Sequence, residues 1–549
     1  MSTALSAQSQ MLGLSVNGYT QKETKTIDSL GYNSSFNDFE SLKNEVIDLG
    51  KKLERIGYIE NQLIGLKKDT DSTFTAHFSL KNIYRKIHLY NKEIIPSEIL
   101  RLLDIEQEDN YLIVATPELE VTLENINSEM ANLGDPFTKL KLSTITRTAD
   151  GVLKAQMLSN KRKVRTIDDI VVKGYEKFPK SYLRHFLKIN EGQLFNLSKI
   201  IQKNEDLDNL QFANIIRDPE VLFTNDSTTL YMYIEKNQSN TFDGFLGFGT
   251  NETTNNLEFD GYLDLRLTNN LNYGESLELL YKSDENDQQT LDIRVRAPFL
   301  FSSPIGAEAN LNIFRHDSTF STTRQVARLS YQINARNLIS FGVNNESSTN
   351  LLDASIATID DYDATRYFAN YQYMKRQNKN VLFPINFLFN ISAGLGQRAS
   401  LNEDNEQYNL ELETYKIFNL NQRNSIFGRL TAQYLDSDNY LENELPRFGG
   451  INSIRGFEEN SLIANLYGVL NTEYRYELSN SIYVHSVIDA AYFENQISKQ
   501  KEKLFGFGFG FGLLTQAGLF RFNYTSGKTE NQPFRLSDSK IHVSLTALF

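Results

Sequence analysis

The chain has 549 residues, a net charge of -13 and no cysteine, and it is too long for one domain of roughly 100–200 residues. The missing cysteine excludes disulfides, thiolate metal sites and iron–sulfur clusters, and the acidic balance argues against a general nucleic-acid surface. No run of about 18 apolar residues occurs, so we predict no transmembrane helix.

The extreme N-terminus contains Ala4 and Ala7 in a short run of small residues. This pattern is typical of the end of a signal peptide with its cleavage site, although the charged and apolar regions that normally precede the site are missing. An ordinary flexible terminus is the alternative. We therefore assign residues 1–14 to a signal-peptide remnant or a flexible terminus.

Up to about residue 238, helical periodicity alternates with short strand-like runs. Apolar residues recur at helical spacing over 41–57 and again over 117–133, and each stretch is followed by two strand-like segments. The clearest unit has a strand over 167–172, helices over Lys180–Ile189 and Leu197–Asp206, and strands over Phe212–Phe223 and Thr229–Glu235. The order strand–helix–helix–strand–strand returns at roughly 75-residue intervals, which indicates internal repeats. We predict α+β modules at 15–81, 82–164 and 165–237.

In the first of these modules, the initial strand and helix have to lie in the polar stretch before Asn37, which makes it the least complete repeat.

After residue 240 the helical pattern stops and strict alternation begins. Between 256 and 268, Leu263, Leu265 and Leu267 share one face, and charged residues occupy the other. We count sixteen such segments over 240–549, which leaves room for membrane-spanning strands of ~9–11 residues and their turns. An even strand number with apolar and polar faces predicts an all-β 16-stranded antiparallel transmembrane β-barrel. A large soluble β-sandwich is the alternative.

A tetrad of Ile454, Arg455, Gly456 and Phe457 follows the eleventh strand and is preceded by Gly449 and Gly450. With the strand count and the upstream repeats, this motif resembles the BamA/TamA superfamily of outer-membrane assembly and transport barrels. The resemblance implies periplasmic POTRA modules, a barrel in the bacterial outer membrane, and an inward-folded loop over 438–462. It departs from the POTRA pattern at Tyr175, where Asn commonly follows the Gly.

The resemblance also implies partners for the loop arginine. Glu473 on strand twelve and Asp489 on strand thirteen match acidic positions that receive this arginine in relatives. Alternation places Glu473 on the face with Asn471 and Arg475, so both carboxylates can point into the barrel, where a planar guanidinium can bridge them. The alternative is that Arg455 is an exposed loop charge.

Two glycine-rich strands have a structural interpretation. On strand fourteen, Gly alternates with Phe over 505–512, which predicts Phe toward lipid and bare backbone toward the returning loop. At the closing seam, glycines weaken the first strand, and the last strand alternates well up to an aromatic terminus. The predicted seam residues are Gly244, Gly247, Gly249, Ile541, Val543 and Phe549.

No catalytic motif is found, and the six histidines are scattered without metal-ligand spacing. We therefore expect neither an enzyme nor a cofactor. The leading hypothesis is insertion or export of unfolded or nascent outer-membrane or secreted polypeptides, which bind the POTRA modules and leave through the barrel and its seam. Outer-membrane lipid and periplasmic or outer-membrane accessory proteins are the other expected partners. A two-partner-type secretion pore and a passive porin with an accessory arm are the alternatives.

Overall fold

The computed structural model describes residues 11–148, 150–160, 163–250, 257–283, 288–352, 358–377, 380, 382–400, 403–515, 518–530 and 539–548. The chain forms two compact units, Met1–Ile167 with Gly192–Lys199, and Asp168–Glu191 with Ile200–Phe549. Within the described residues, no helix has the length and apolar character needed to cross a membrane.

The first module is a four-stranded sheet covered by two helices, with strand order β2-β1-β4-β3. Its elements are β1 (Leu12–Gly18), α1 (Gln21–Ser29), β2 (Ser35–Phe36), α2 (Phe39–Arg55), β3 (Gln62–Lys68) and β4 (Thr73–Ser79). The carboxylate of Asp38 accepts a hydrogen bond from the Ser41 N–H (2.8 Å) and caps α2. One face of α2 is buried because Leu42 and three further apolar residues recur at helical spacing.

The expected boundary between residues 14 and 15 is wrong. β1 already begins at Leu12, because Leu14 and Val16 fill core positions of the first module. The run with Ala4 and Ala7 lies outside the described residues.

The second module repeats this plan, with strand order β6-β5-β8-β7. Its elements are β5 (Lys86–Tyr90), α3 (Ser97–Leu102), β6 (Tyr111–Ala115), α4 (Leu119–Asn132), β7 (Leu140–Arg147) and β8 (Val152–Ser159). Both modules contain a short edge strand between their two helices, which the predicted order strand–helix–helix–strand–strand does not include. This strand is β2 in the first module and β6 in the second. In each module, the first and the last strand lie next to each other at the centre of the sheet and pair in parallel.

The third module contains β9 (Asp169–Gly174), α5 (Leu197–Glu205), β10 (Ala213–Phe223) and β11 (Thr228–Lys236), with sheet order β10-β11-β9. The helix expected over Lys180–Ile189 is instead a single π-helical turn, Tyr182–Phe186, with the Leu187 N–H bonded to the Tyr182 carbonyl (2.9 Å). This wider turn buries Tyr182, Leu183 and Phe186 together, so tertiary packing overrides the helical periodicity.

Among the described residues after 240, sixteen strands form a closed antiparallel barrel, as predicted. The strands are β12 (Thr241–Thr250), β13 (Leu257–Thr268), β14 (Ser276–Ser283), β15 (Gln288–Ala297), β16 (Ile305–His316), β17 (Phe320–Asn334), β18 (Asn337–Asn350), β19 (Tyr362–Arg376), β20 (Ile385–Ser400), β21 (Asp404–Asn419), β22 (Asn424–Ser437), β25 (Leu466–Ser479), β26 (Ile482–Asn495), β27 (Gln500–Thr515), β28 (Gly518–Thr529) and β29 (Lys540–Leu548). A two-stranded hairpin, β23 (Arg447–Phe448) and β24 (Leu462–Ile463), lies in the segment between β22 and β25.

Candidate functional site

The segment between β22 and β25, residues 438–465, is the inward loop, three residues longer than the sequence predicts. Gly449 and Gly450 directly follow β23, and both have positive φ angles. An apolar cluster joins the loop to the barrel wall: Phe448 stacks on Tyr467 (ring centroids 4.5 Å apart), and Ile454 is fully buried beside them. The loop is therefore packed against β25 and β26 as part of the protein core.

Arg455 lies between the two carboxylates that the resemblance implies. Its guanidinium binds Asp489 through Nε–Oδ2 (2.8 Å) and Nη2–Oδ1 (2.7 Å), and its backbone N–H also donates to Asp489 Oδ2 (3.1 Å). Its Nη1 donates to Glu473 Oε1. Arg455 is only 6% exposed and Asp489 only 1% exposed, so the interpretation of an exposed loop charge is wrong.

Arg475 extends this network toward β22 and the connection between β19 and β20. Its Nε donates to the second carboxylate oxygen of Glu473 (2.7 Å), and its guanidinium lies over the rings of Phe383 and Phe427. Arg455 and Arg475 therefore each bind one carboxylate oxygen of Glu473. Because both oxygens are engaged, the Glu473 side chain is held in a single orientation.

Two neighbouring polar residues make different contacts. Asn471 donates to the Ser453 carbonyl (2.7 Å) and so belongs to the loop contact. Glu477 instead accepts a hydrogen bond from Asn380 (2.7 Å), away from Arg455.

Gly456, the residue after Arg455, packs closely against the backbone of β28. Gly456 has φ +93°, and a Cβ added there would lie 2.4 Å from the Gly527 nitrogen. On the glycine stripe of β27, a Cβ at Gly506 would lie 2.3 Å from the Arg455 carbonyl oxygen. Phe457, which is half-buried, packs beside Gly527. The glycines of β27 and β28 thus leave room for the loop. Phe507 and Phe509, which alternate with the glycines of β27, are exposed on the outer face.

The closing strands β12 and β29 meet through a short ladder. Thr241 pairs with Leu548 and Phe242 pairs with Ala547, and Thr546 donates to the Asp243 carboxylate (3.2 Å). By contrast, β12 pairs with β13 at ten positions, and β29 pairs with β28 at seven.

The predicted seam residues lie along these two strands. Gly244, Gly247 and Gly249 are on β12, opposite Leu263, Asp260 and Glu258 of β13. Ile541 and Val543 are exposed on β29, at 63% and 57%, opposite Tyr524 and Phe522 of β28. Phe549 lies outside the described residues. Among the described residues, the pairs of the ladder therefore lie nearer the start of β12 than the predicted glycines, and nearer the end of β29 than Ile541 and Val543.

The third module contacts the barrel turns at their β13–β14 and β15–β16 connections. The Tyr175 hydroxyl donates to Asn272 Oδ1 (2.6 Å) and accepts from Asn269 (2.8 Å), so the residue that departs from the POTRA pattern makes a specific contact. The ring of Tyr182 meets Phe299 edge-on (4.7 Å), and its hydroxyl lies 3.3 Å from the Gly274 carbonyl. Burial raises the pKa of the Tyr182 hydroxyl, which therefore remains a neutral donor.

Sequence reasoning missed one buried ion pair of the inward loop. Glu444 binds Arg398 of β20 with an Oε1–Nη1 distance of 2.6 Å. No local signal points to this pair, because Glu444 belongs to an ordinary acidic run and its partner lies on a distant strand.

Comparisons with known proteins agree with this architecture. Residues 165–237 match the POTRA family model, described as "Surface antigen variable number repeat". No curated protein sequence matches the chain significantly.

Solved structures of two CdiB proteins are among the matches with TM-scores above 0.5. CdiB from Escherichia coli matches with a TM-score of 0.54 at 13% identity, over 93% of this chain and 97% of that one. CdiB from Acinetobacter baumannii matches with a TM-score of 0.53 at 15% identity, over 85% and 89%. A Haemophilus ducreyi BamA lacking POTRA domains 1–3 matches with a lower TM-score of 0.48 at 15% identity, over 82% of this chain and 97% of that one. A POTRA module at residues 165–237 followed by a sixteen-stranded antiparallel barrel gives this chain the fold of the two CdiB structures.

Proposed function

We propose that the chain is an outer-membrane assembly or translocation barrel, which binds unfolded polypeptides through its POTRA modules and inserts or exports them through the barrel and its lateral seam. The observation that carries the proposal is the two-pair ladder between β12 and β29. Cross-strand pairs contribute ~0.2–1 kcal/mol each, so this ladder is the weakest junction in the barrel. Opening it exposes two strand edges to which an extended client can add.

The modules offer further edges to a client. β3 and β7 end the sheets of the first and second modules, and Leu63 and Ile64 on β3 are 45% and 62% exposed. Strand addition to such an edge uses main-chain hydrogen bonds, which tolerate any client sequence. β10 is a poorer edge, because Pro219 and two register shifts interrupt it.

The proposed location is the bacterial outer membrane, with the N-terminal modules in the periplasm. The outer face of the barrel supports it, since apolar and aromatic side chains such as Phe341, Tyr367 and Leu395 are 59–65% exposed there. Outer-membrane lipid would cover this face. Accessory proteins of the periplasm or outer membrane remain part of the proposal.

A reversible crosslink across the seam tests this function. Phe242→Cys with Ala547→Cys places two thiols on directly opposed residues, a spacing that suits a disulfide, and the chain has no cysteine to interfere. We expect oxidation to abolish client insertion and reduction to restore it. The matched control is Phe511→Cys with Phe522→Cys, which joins β27 to β28 and should leave activity intact. Full activity with the seam quantitatively crosslinked would rule out lateral opening.

The secretion pore is the second candidate, because a polar cavity lies beside the inward loop within the barrel. A passive porin is less well supported, since Arg455 anchors the loop inside the lumen. Conductance in planar bilayers separates them: a porin gives large steady openings, and a plugged barrel gives brief ones.

A further inference from the structure

The first limb of the inward loop, residues 441–446, is anchored to a different wall from the Arg455 tetrad. Besides its bond to Arg398, Glu444 accepts hydrogen bonds from Gln407 Nε2 (2.8 Å) and from the Leu441 N–H (2.9 Å). The side chains of Arg398 and Glu444 are 2% and 0% exposed. This ion pair is thus as deeply buried as the Arg455 contact, and it joins the loop to β20, with Gln407 of β21 as a further partner of Glu444.

Asn443 strengthens the same attachment. Its side-chain amide donates to Ser348 Oγ on β18 (2.9 Å) and to the Asp360 carbonyl (2.8 Å). The hydroxyl of Tyr362, on β19, lies 3.3 Å from the Asn443 carbonyl and 2.7 Å from Glu346. The loop therefore crosses the lumen between two anchors, one on β18–β21 and one on β25–β26.

Beside the first limb lies a cavity of about 300 Å³, bounded by side chains of β15–β19, β21 and β22 and by the limb itself. Its lining is rich in amides and charged groups. Among the described residues, Asn344 Oδ1, Asn409 Oδ1 and Arg447 Nη2 are buried without a hydrogen-bond partner. The opposite side of the loop is filled, because Phe448, Ile454 and Tyr467 pack there and Arg455 binds Glu473 and Asp489.

The two sides suit different occupants. An extended polypeptide presents N–H and C=O groups along its whole length, and side-chain amides can donate to and accept from them whatever the client sequence. The polar groups of β25 and β26 are already engaged by the loop, since Arg455 binds Glu473 and Asp489. A hydrophilic, unfolded chain therefore finds open complementary groups in the cavity on the other side, where Glu444 is part of the lining.

We propose that the polar side of the lumen is a binding route for an unfolded polypeptide, and that the Glu444–Arg398 pair is a second anchor which bars this route until it is released. The proposal rests on the proposed function for the identity of the occupant. Release of this anchor widens the cavity while Arg455 still holds the remainder of the loop to β25 and β26.

Thiol labelling of the full-length protein in liposomes tests the anchor without any client. Asn409→Cys places the single thiol in the cavity, and a membrane-impermeant methanethiosulfonate reports its accessibility. Adding Glu444→Gln should raise the labelling rate on the order of tenfold or more, because it leaves Arg398 buried without its counter-charge. Planar-bilayer openings should become longer in the same variant.

Glu308→Gln is the matched control. Glu308 is 8% exposed and binds Arg296 (2.7 Å), so the change removes a buried wall charge of the same kind. It should leave labelling unchanged. The charge exchange Glu444→Arg with Arg398→Glu should restore slow labelling, which a general loss of folding would not do. Equal labelling rates with and without Glu444→Gln would overturn the second anchor.

Photocrosslinking in cells tests the route. A crosslinker at Gln433, in the cavity, should trap polypeptide, and one at Asn523 on β28 should trap less. Preferential trapping at Asn523 would overturn the route. If no polypeptide is trapped at either position or on β3, the proposed function fails, and the labelling result still decides the anchor.

Discussion

Replacing Arg455 by Ala is the most direct perturbation of the inward loop. The change removes a guanidinium that makes two hydrogen bonds to Asp489 and one to Glu473. Both carboxylates remain in place, and Asp489 is 1% exposed. Breaking a dry buried ion pair costs ~3–5 kcal/mol. Water in the lumen lowers this to about 2–3 kcal/mol, which shifts the equilibrium between docked and released loop by roughly 30- to 150-fold.

Limited proteolysis of the full-length protein in detergent measures this shift. We expect the barrel of Arg455→Ala to form, and cleavage near Gly449 and Gly450 to accelerate by a similar factor. Arg455→Lys should give an intermediate rate, because an ammonium keeps the charge but loses the two-point contact with Asp489. Arg296→Ala breaks a wall ion pair with Glu308 and serves as the control for general loosening. Unchanged protection in Arg455→Ala would refute the assignment of this residue as an anchor.

Three further outcomes follow from the same contacts. Gly506→Ala should displace the loop and lower the free energy of unfolding by roughly 1–3 kcal/mol, because its Cβ would overlap the Arg455 carbonyl. Gly468→Ala, which has open space around it, is the control and should leave thermal unfolding unchanged. Tyr182→Ala should destabilise the third module by about 3 kcal/mol in denaturant titrations and expose its strands to protease, because the ring fills a buried site; unchanged resistance would contradict this packing. A fragment of residues 11–237 should be soluble and folded without detergent, and poor amide dispersion in NMR spectra would count against three modules.

Strand alternation made much of the site predictable. On β25, Tyr467, Val469, Asn471, Glu473 and Arg475 are all buried and their neighbours are more exposed, as the two-residue period requires. The same local rule places the glycines of β27 toward the loop. The family motif then identified Arg455 as the partner of two inward carboxylates. These features depend on residues that are close in sequence or carried by a recognisable motif.

Only the tertiary structure decides the contacts between residues that are distant in the sequence. Arg398 and Glu444 meet because barrel closure brings β20 to the first limb of the loop, and nothing in either local sequence encodes that register. The π-helical turn at Tyr182 arises from rings packed against Phe212 and Phe299, although its periodicity is helical. The length of the β12–β29 ladder depends on the accumulated stagger of all sixteen strands. Local periodicity sets which face a side chain occupies, and only closure of the chain on itself selects its partner.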